Sequence, residues 1–215
     1  MKSILKNTVI SLAVLIVTAV SVNAQTKNQS QNDSVAHTNT SIFDKNQVID
    51  KEGIEIYSSN LEMKAHKKIG VGVSTGGLIG GFGINSEFNL EPQNALFLGI
   101  GTGEAYNSFN FGWKYNFESE YLSLYTKVGY SKWFNNTSGT NSATSNDILK
   151  RVLTDSEVRE NKFSTDFFAG GAGLEYNQLE GDLSGVNFFG EMLIMSEIKR
   201  SIYLPTASVG VTYFY

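Results

Sequence analysis

The last ten residues, Thr206 to Tyr215, alternate their side chains with a period of two and stop on an aromatic residue. Ala207, Val209, Val211, Tyr213 and Tyr215 share one face, while Ser208, Gly210 and Thr212 share the other. That is the period of a β-strand. A strand finishing in water has no reason to carry aromatic side chains at its final three positions, whereas one finishing at a membrane interface does. Similar runs recur upstream, and the pattern predicts strands at 67–75, 78–90, 95–103, 106–117, 121–134, 163–176, 185–195 and 206–215. Eight is an even number, as a closed antiparallel barrel needs, and the lengths suit tilted membrane strands of about 9–11 residues.

Each run separates into an apolar and a small polar face. In the second, Leu78, Phe82, Ile84, Phe88 and Leu90 oppose Gly81, Gly83, Asn85, Glu87 and Asn89. In the fourth, Phe109, Phe111, Trp113, Tyr115 and Phe117 oppose Asn110, Gly112, Lys114 and Asn116. In the fifth, Leu122, Leu124, Val128 and Tyr130 oppose Ser123, Tyr125, Lys127 and Gly129. The sixth and seventh are less regular. Alternation alone also fits a soluble, lipocalin-like barrel with an apolar interior. The make-up of the polar face decides between them. It consists of Gly, Asn and Ser with about one charge per strand, too few charges for a solvated sheet. Small polar residues do fit the narrow interior of eight strands, so the apolar face is placed toward lipid.

The connections agree with this orientation. The fifth, 135–162, and the seventh, 196–205, are the longest, and both fall on the side where outer-membrane barrels carry long loops. The second, fourth and sixth, on the opposite side, are fairly short. Aromatic residues are expected where strands leave the hydrocarbon. Phe88, Tyr115, Phe117, Tyr121, Tyr176, Tyr213 and Tyr215 would form the inner girdle, and Tyr106, Tyr130, Trp133, Phe134 and Tyr203 the outer one.

Residues 1–24 read as a secretory signal peptide: Lys2 and Lys6, an apolar run from Val9 to Val20, then Val22-Asn23-Ala24. The run is shorter than the roughly 20 residues of a spanning helix. Cleavage after Ala24 would remove both lysines and move the formal charge from −4 to −6. That acidity, without a basic cluster, argues against nucleic acid as a partner. With no cysteine there is no disulfide framework and no thiolate chemistry. Residues 25–65 read as a disordered or weakly ordered periplasmic tail, rich in Asn, Gln, Ser and Thr at its start. Within it Gly53 to Tyr57 could add a short strand. The barrel takes 66–215.

These features together resemble the small eight-stranded outer-membrane β-barrel family, which includes the barrel domains of outer membrane proteins A, W and X. The resemblance covers roughly Lys67 to Tyr215 and rests on the leader, the Gly-rich alternating strands and the ending Tyr213-Phe214-Tyr215. It implies a Gram-negative outer membrane, with lipid around the barrel. It also implies that Tyr213, Phe214 and Tyr215 form the carboxy-terminal signal read by barrel-assembly machinery, with Tyr in place of the more usual final Phe. Some barrels of this size are lipid-modifying enzymes working through a Ser-His-acid arrangement. Such a site needs a base of near-neutral pKa near the outer leaflet. The two histidines, His37 and His66, both precede the first strand on the other side, so no enzyme is expected, nor any metal or cofactor. The glycines between Gly70 and Gly83 do not make a phosphate loop, because a strand rather than a helix follows them.

Five charges fall on the predicted inner face: Glu87, Lys114, Lys127, Glu175 and Glu191. Buried charges persist when paired, so these are the candidate site, either as a structural network or as a polar path. In the fifth connection, Ile148, Leu149, Val152 and Leu153 recur at helical spacing behind a possible cap at Asn146. A short amphipathic helix there would lie over the barrel mouth or on the outer leaflet. Loop 135–162 is thereby the candidate contact site for a surface ligand. The leading functional expectation is a structural or surface-interaction barrel; the alternative is a narrow, porin-like pore or apolar-ligand conduit.

Overall fold

The strands that the period of two marks out form one sheet, closed on itself by the pairing of the last strand with the first. The computed structural model describes residues 55–135, 147–160 and 162–215. The leader, residues 25–54 of the tail and the polar half of the long loop with Asn146 lie outside the described residues. Eight strands follow one another around a closed antiparallel barrel: β1 (Ile69–Gly76), β2 (Gly80–Asn89), β3 (Asn94–Thr102), β4 (Tyr106–Asn116), β5 (Leu122–Asn135), β6 (Ser164–Asn177), β7 (Val186–Glu197) and β8 (Tyr203–Phe214). β8 returns to pair with β1, from Gly70 opposite Phe214 to Gly76 opposite Ser208, so no edge is left open. Among the described residues three short helices accompany them: α1 (Asn60–His66) ahead of β1, and α2 (Asp147–Val152) and α3 (Asp155–Glu160) between β5 and β6. The end of the barrel beside α1 is called the tail end, and the end beside α2 and α3 the loop end.

Burial follows the alternation. Most outward positions are apolar and exposed, among them Phe82, Ile84, Ile100, Phe111, Phe188 and Met192, the last with 77% of its surface free. Among outward positions of the strands the only charges are Lys132 and Asp166, which lie opposite each other on β5 and β6 and pair at 3.5 Å.

Three elements depart from the sequence expectation. β2 starts at Gly80, not at 78, because Gly76, Gly77 and Gly80 all adopt positive φ, a conformation glycine takes without strain. The turn they make tucks Leu78 and Ile79 into the barrel instead of presenting Leu78 to the outside. β8 starts at Tyr203, so the seventh connection shrinks to 198–202. Pro205 reads as a strand breaker, but residues 203–207 extend beyond the last β1 partner and pair with β7 alone. On that locally unpaired side a missing N–H costs no ladder bond. The stretch ahead of β1 is also more ordered than a linker. Ile56 bridges to Glu180 in the β6–β7 connection rather than adding a barrel strand, and residues 60–66 are helical.

Candidate functional site: the filled lumen

From the tail end inward, the lumen is occupied in layers. α1 closes the tail end. Ser59 caps the helix, its hydroxyl accepting from the Glu62 amide, while the Glu62 carboxylate accepts from the Ser58 amide and hydroxyl. These bonds hold Glu62 below its usual carboxylate range. Asn60 docks the helix onto the β4–β5 turn: its side chain donates to the Phe117 carbonyl and accepts from the Ser119 amide. Met63 packs with Tyr57, Leu179 and the inward Phe214. Burial and the neighbouring Glu55 push the Tyr57 hydroxyl up to about 12.

From this helix Lys64 reaches into the barrel. Its ammonium donates to Glu175 Oε1 at 2.6 Å and Asn116 Oδ1 at 2.8 Å and lies 3.4 Å from Glu87 Oε1. Burial pulls Lys64 below the ordinary lysine range, with Glu175 opposing that pull. Lys114 donates to the other oxygens of the same two carboxylates, Glu175 Oε2 at 2.6 Å and Glu87 Oε2 at 2.9 Å. Two lysines and two glutamates thus alternate in a ring, each carboxylate bridging both ammonium groups. Ser123 also donates to Glu175, and Asn177 and Asn187 extend the hydrogen bonds around the wall.

The next layer is a second, separate pairing. Lys127 lies 3.2 Å from both oxygens of Glu191, and the Tyr125 hydroxyl donates to Glu191 at 2.9 Å. The Lys127 ammonium also sits 4.2 Å from the centre of the Phe97 ring. A Cβ added at Gly112 or Gly129 would approach that ring's Cζ to 2.6 Å, so both positions need glycine for Phe97 to cross the lumen. A cavity of about 30 Å³ borders both charged groups, lined by Glu87, Lys114, Lys127 and Glu191 together with Asn85 and Asn110, room for a water or two.

The loop end is mainly apolar, with Glu197 at the end of β7 buried beside it and accepting from the Arg200 amide. Phe97, Tyr106, Trp133, Phe167, Leu193 and Met195 point inward and pack with Leu78 and with Leu149, Val152 and Leu153 of the long loop. Tyr106 and Trp133, expected in the outer aromatic girdle, are inside and stack at 4.5 Å. Alternation places both on the inner face, and the inward Leu78 supplies the carbonyl that accepts from Trp133 Nε1. These apolar inward residues are also why β6 and β7 alternate less cleanly in sequence: their loop-end halves face a hydrophobic plug. The cap over it is latched. Thr154 and Glu157 bond reciprocally at the start of α3, a capping box. Arg200, from the β7–β8 turn, donates to the Val152 carbonyl and to Glu157. Partial burial would raise Glu157, but the Thr154 and Arg200 hydrogen bonds outweigh it and hold its carboxyl below the usual range.

All five charges read from sequence lie inside, but in two groups: Glu87, Lys114 and Glu175 in the ring, Lys127 and Glu191 beyond it. The sixth member, Lys64, was missed because it sits ahead of the strands. Two signals pointed to it. The five charges sum to one excess carboxylate, and Ser59-Asn60-Leu61-Glu62 has the spacing of a helix start. At the carboxy-terminus Tyr213 and Tyr215 face outward and Phe214 inward, fully buried, with Lys64 5.3 Å above its ring. His66 lies at the tail end, its ring 5.8 Å from that of Tyr57.

No family model and no curated protein matches the chain. Among solved structures it is similar in fold to the N-terminal β-barrel domain of Pseudomonas aeruginosa OprF, at 12% identity over 69% of this chain and 98% of that one, with a TM-score of 0.48. It is also similar to the Yersinia pestis outer membrane protein Ail, in a nanodisc structure (12% identity, 69% and 99% covered, TM-score 0.37) and in a crystal structure (13%, 69% and 97%, TM-score 0.35).

Proposed function

We propose that this chain is an outer-membrane barrel of a Gram-negative bacterium that does not conduct, and that it serves as a scaffold presenting its loop-end cap for contact outside the cell. The observation that carries the reading is the inversion of surface and core. The outward belt is apolar and carries one ion pair, whereas the charges of the middle lie inside, neutralised three against three. In water such a belt would cost about 25 cal/mol for every Å² left exposed, and in hydrocarbon it costs nothing. The leader sequence accounts for export, and Tyr213, Phe214 and Tyr215 for delivery to barrel-assembly machinery. A pore or conduit has less support, since α1 fills one mouth and the apolar plug under α2 and α3 the other. The six charges of the middle of the lumen are engaged with one another as structural pairs, which favours a non-enzymatic role.

What remains presented is the outer side of the cap, with Ile148, Asp155, Arg159 and Glu160 exposed. The test replaces residues 137–160 with a short Gly-Ser turn. Membrane fractionation should recover wild type and variant alike in the outer membrane, while whole-cell binding to abiotic or host surfaces falls only in the variant. Recovery in a soluble periplasmic fraction would refute membrane insertion, and undiminished binding would move the contact surface elsewhere.

A further inference from the structure

The position of the Lys64 ammonium is defined by the wall, not by the helix that carries it. Its cradle comprises Glu87 from β2, Asn116 from β4, Glu175 from β6 and the face of Phe214 from β8. Strands on opposite sides of the barrel supply these groups, and their spacing is set by the closed ladder. The occupant comes from a seven-residue helix, a length that does not hold a helix by itself in water. Without Lys64 the two carboxylates would share Lys114 alone, leaving one uncompensated buried negative charge.

We propose that this cradle is a binding site for primary alkylammonium groups, with Lys64 its resident occupant and α1 the stopper that keeps other members of that class out. The stereochemistry selects the class. Three oxygens, Glu175 Oε1, Asn116 Oδ1 and Glu87 Oε1, match the three N–H bonds of a primary ammonium, and an aromatic face covers a remaining side. The lysine stem enters from the tail end, so a solute on an unbranched alkyl chain follows the same route. A quaternary ammonium carries the charge but donates nothing to the three oxygens.

The test is chemical rescue of Lys64→Ala in the full chain, purified in detergent micelles. Melting temperature is read against ethylammonium chloride and against tetramethylammonium chloride at equal ionic strength. The variant should melt below wild type, and ethylammonium should raise it saturably by about 3 °C or more, with tetramethylammonium inert. Wild type, its site filled, should respond to neither. Adding Asn116→Leu to Lys64→Ala should abolish the response. If Lys64→Ala does not fold in plain buffer, the same salts are supplied during refolding and the folded yield is read; ethylammonium-specific recovery is then the expected result. Equal effects of both salts, no effect of either in melting and refolding, a rescue that survives Asn116→Leu, or the same shift in wild type would each overturn the site.

Discussion

Glu191 shows how a single lumen residue is committed. Its two oxygens take both Lys127 and the Tyr125 hydroxyl, and its side chain is almost wholly buried. Neutralising one partner strands the other, so Glu191→Gln or Lys127→Met alone should each cost about 3–5 kcal/mol in unfolding by denaturant. The double variant should cost clearly less than their sum, and strict additivity would show that the pair is not coupled. Glu157 makes a different prediction. Its carboxyl is held below the unfolded value of 4.5, so the stability it lends to the cap is present above that value and is lost as the pH falls through the lower, folded one. Acidification below that unfolded value, through the lower folded one, should therefore loosen α3 from Arg200, and Glu157→Gln should remove the transition. An unchanged acid profile in that variant would assign the effect to another group.

Among elements, α2 shows most directly how local pattern becomes placement. Ile148, Leu149, Val152 and Leu153 predict an amphipathic turn of helix, and the structure buries Leu149, Val152 and Leu153 against the plug while Ile148 stays exposed. Leu149→Ala should weaken cap docking by about 2–5 kcal/mol. Trp133 reports on it, being buried beneath the cap, whereas Trp113 faces outward. In a Trp113→Phe background, Leu149→Ala should shift Trp133 emission to the red while β-sheet circular dichroism is unchanged. Loss of sheet signal would show that the cap is needed to close the barrel. Helix α1 carries the contrasting lesson. Its capping spacing was legible, but its insertion was not, since a polar flank with one apolar turn reads the same whether it lies in solution or inside a barrel.

For the whole molecule, the two fillings act in series. Any path through the lumen must pass α1 and Lys64, the ring of four charges, the Lys127–Glu191 pair and then the apolar plug. Planar bilayers containing the purified protein should show no steady conductance, and removal of residues 137–160 alone should not create one, because α1 still closes the other end. A persistent open current in wild type would revive the pore reading. The apolar belt closes with aromatic pairs at the tail end, Tyr121 with Tyr176 and Tyr213 with Tyr215, where a bilayer would meet its headgroups.

The amino-acid order alone determined the eight strands to within a few residues at their ends, most of their inward and outward positions and the five charges that point inside, because a period of two is written residue by residue and the small polar make-up of one face says which side is the narrow interior. Only the tertiary structure decided how those charges are partitioned, that Lys64 completes them, and that Leu78, Tyr106 and Trp133 turn inward to a plug beneath α2. Those outcomes depend on which groups face one another across a lumen, and residues as distant in sequence as Lys64 and Glu175 meet there only once β8 has closed onto β1.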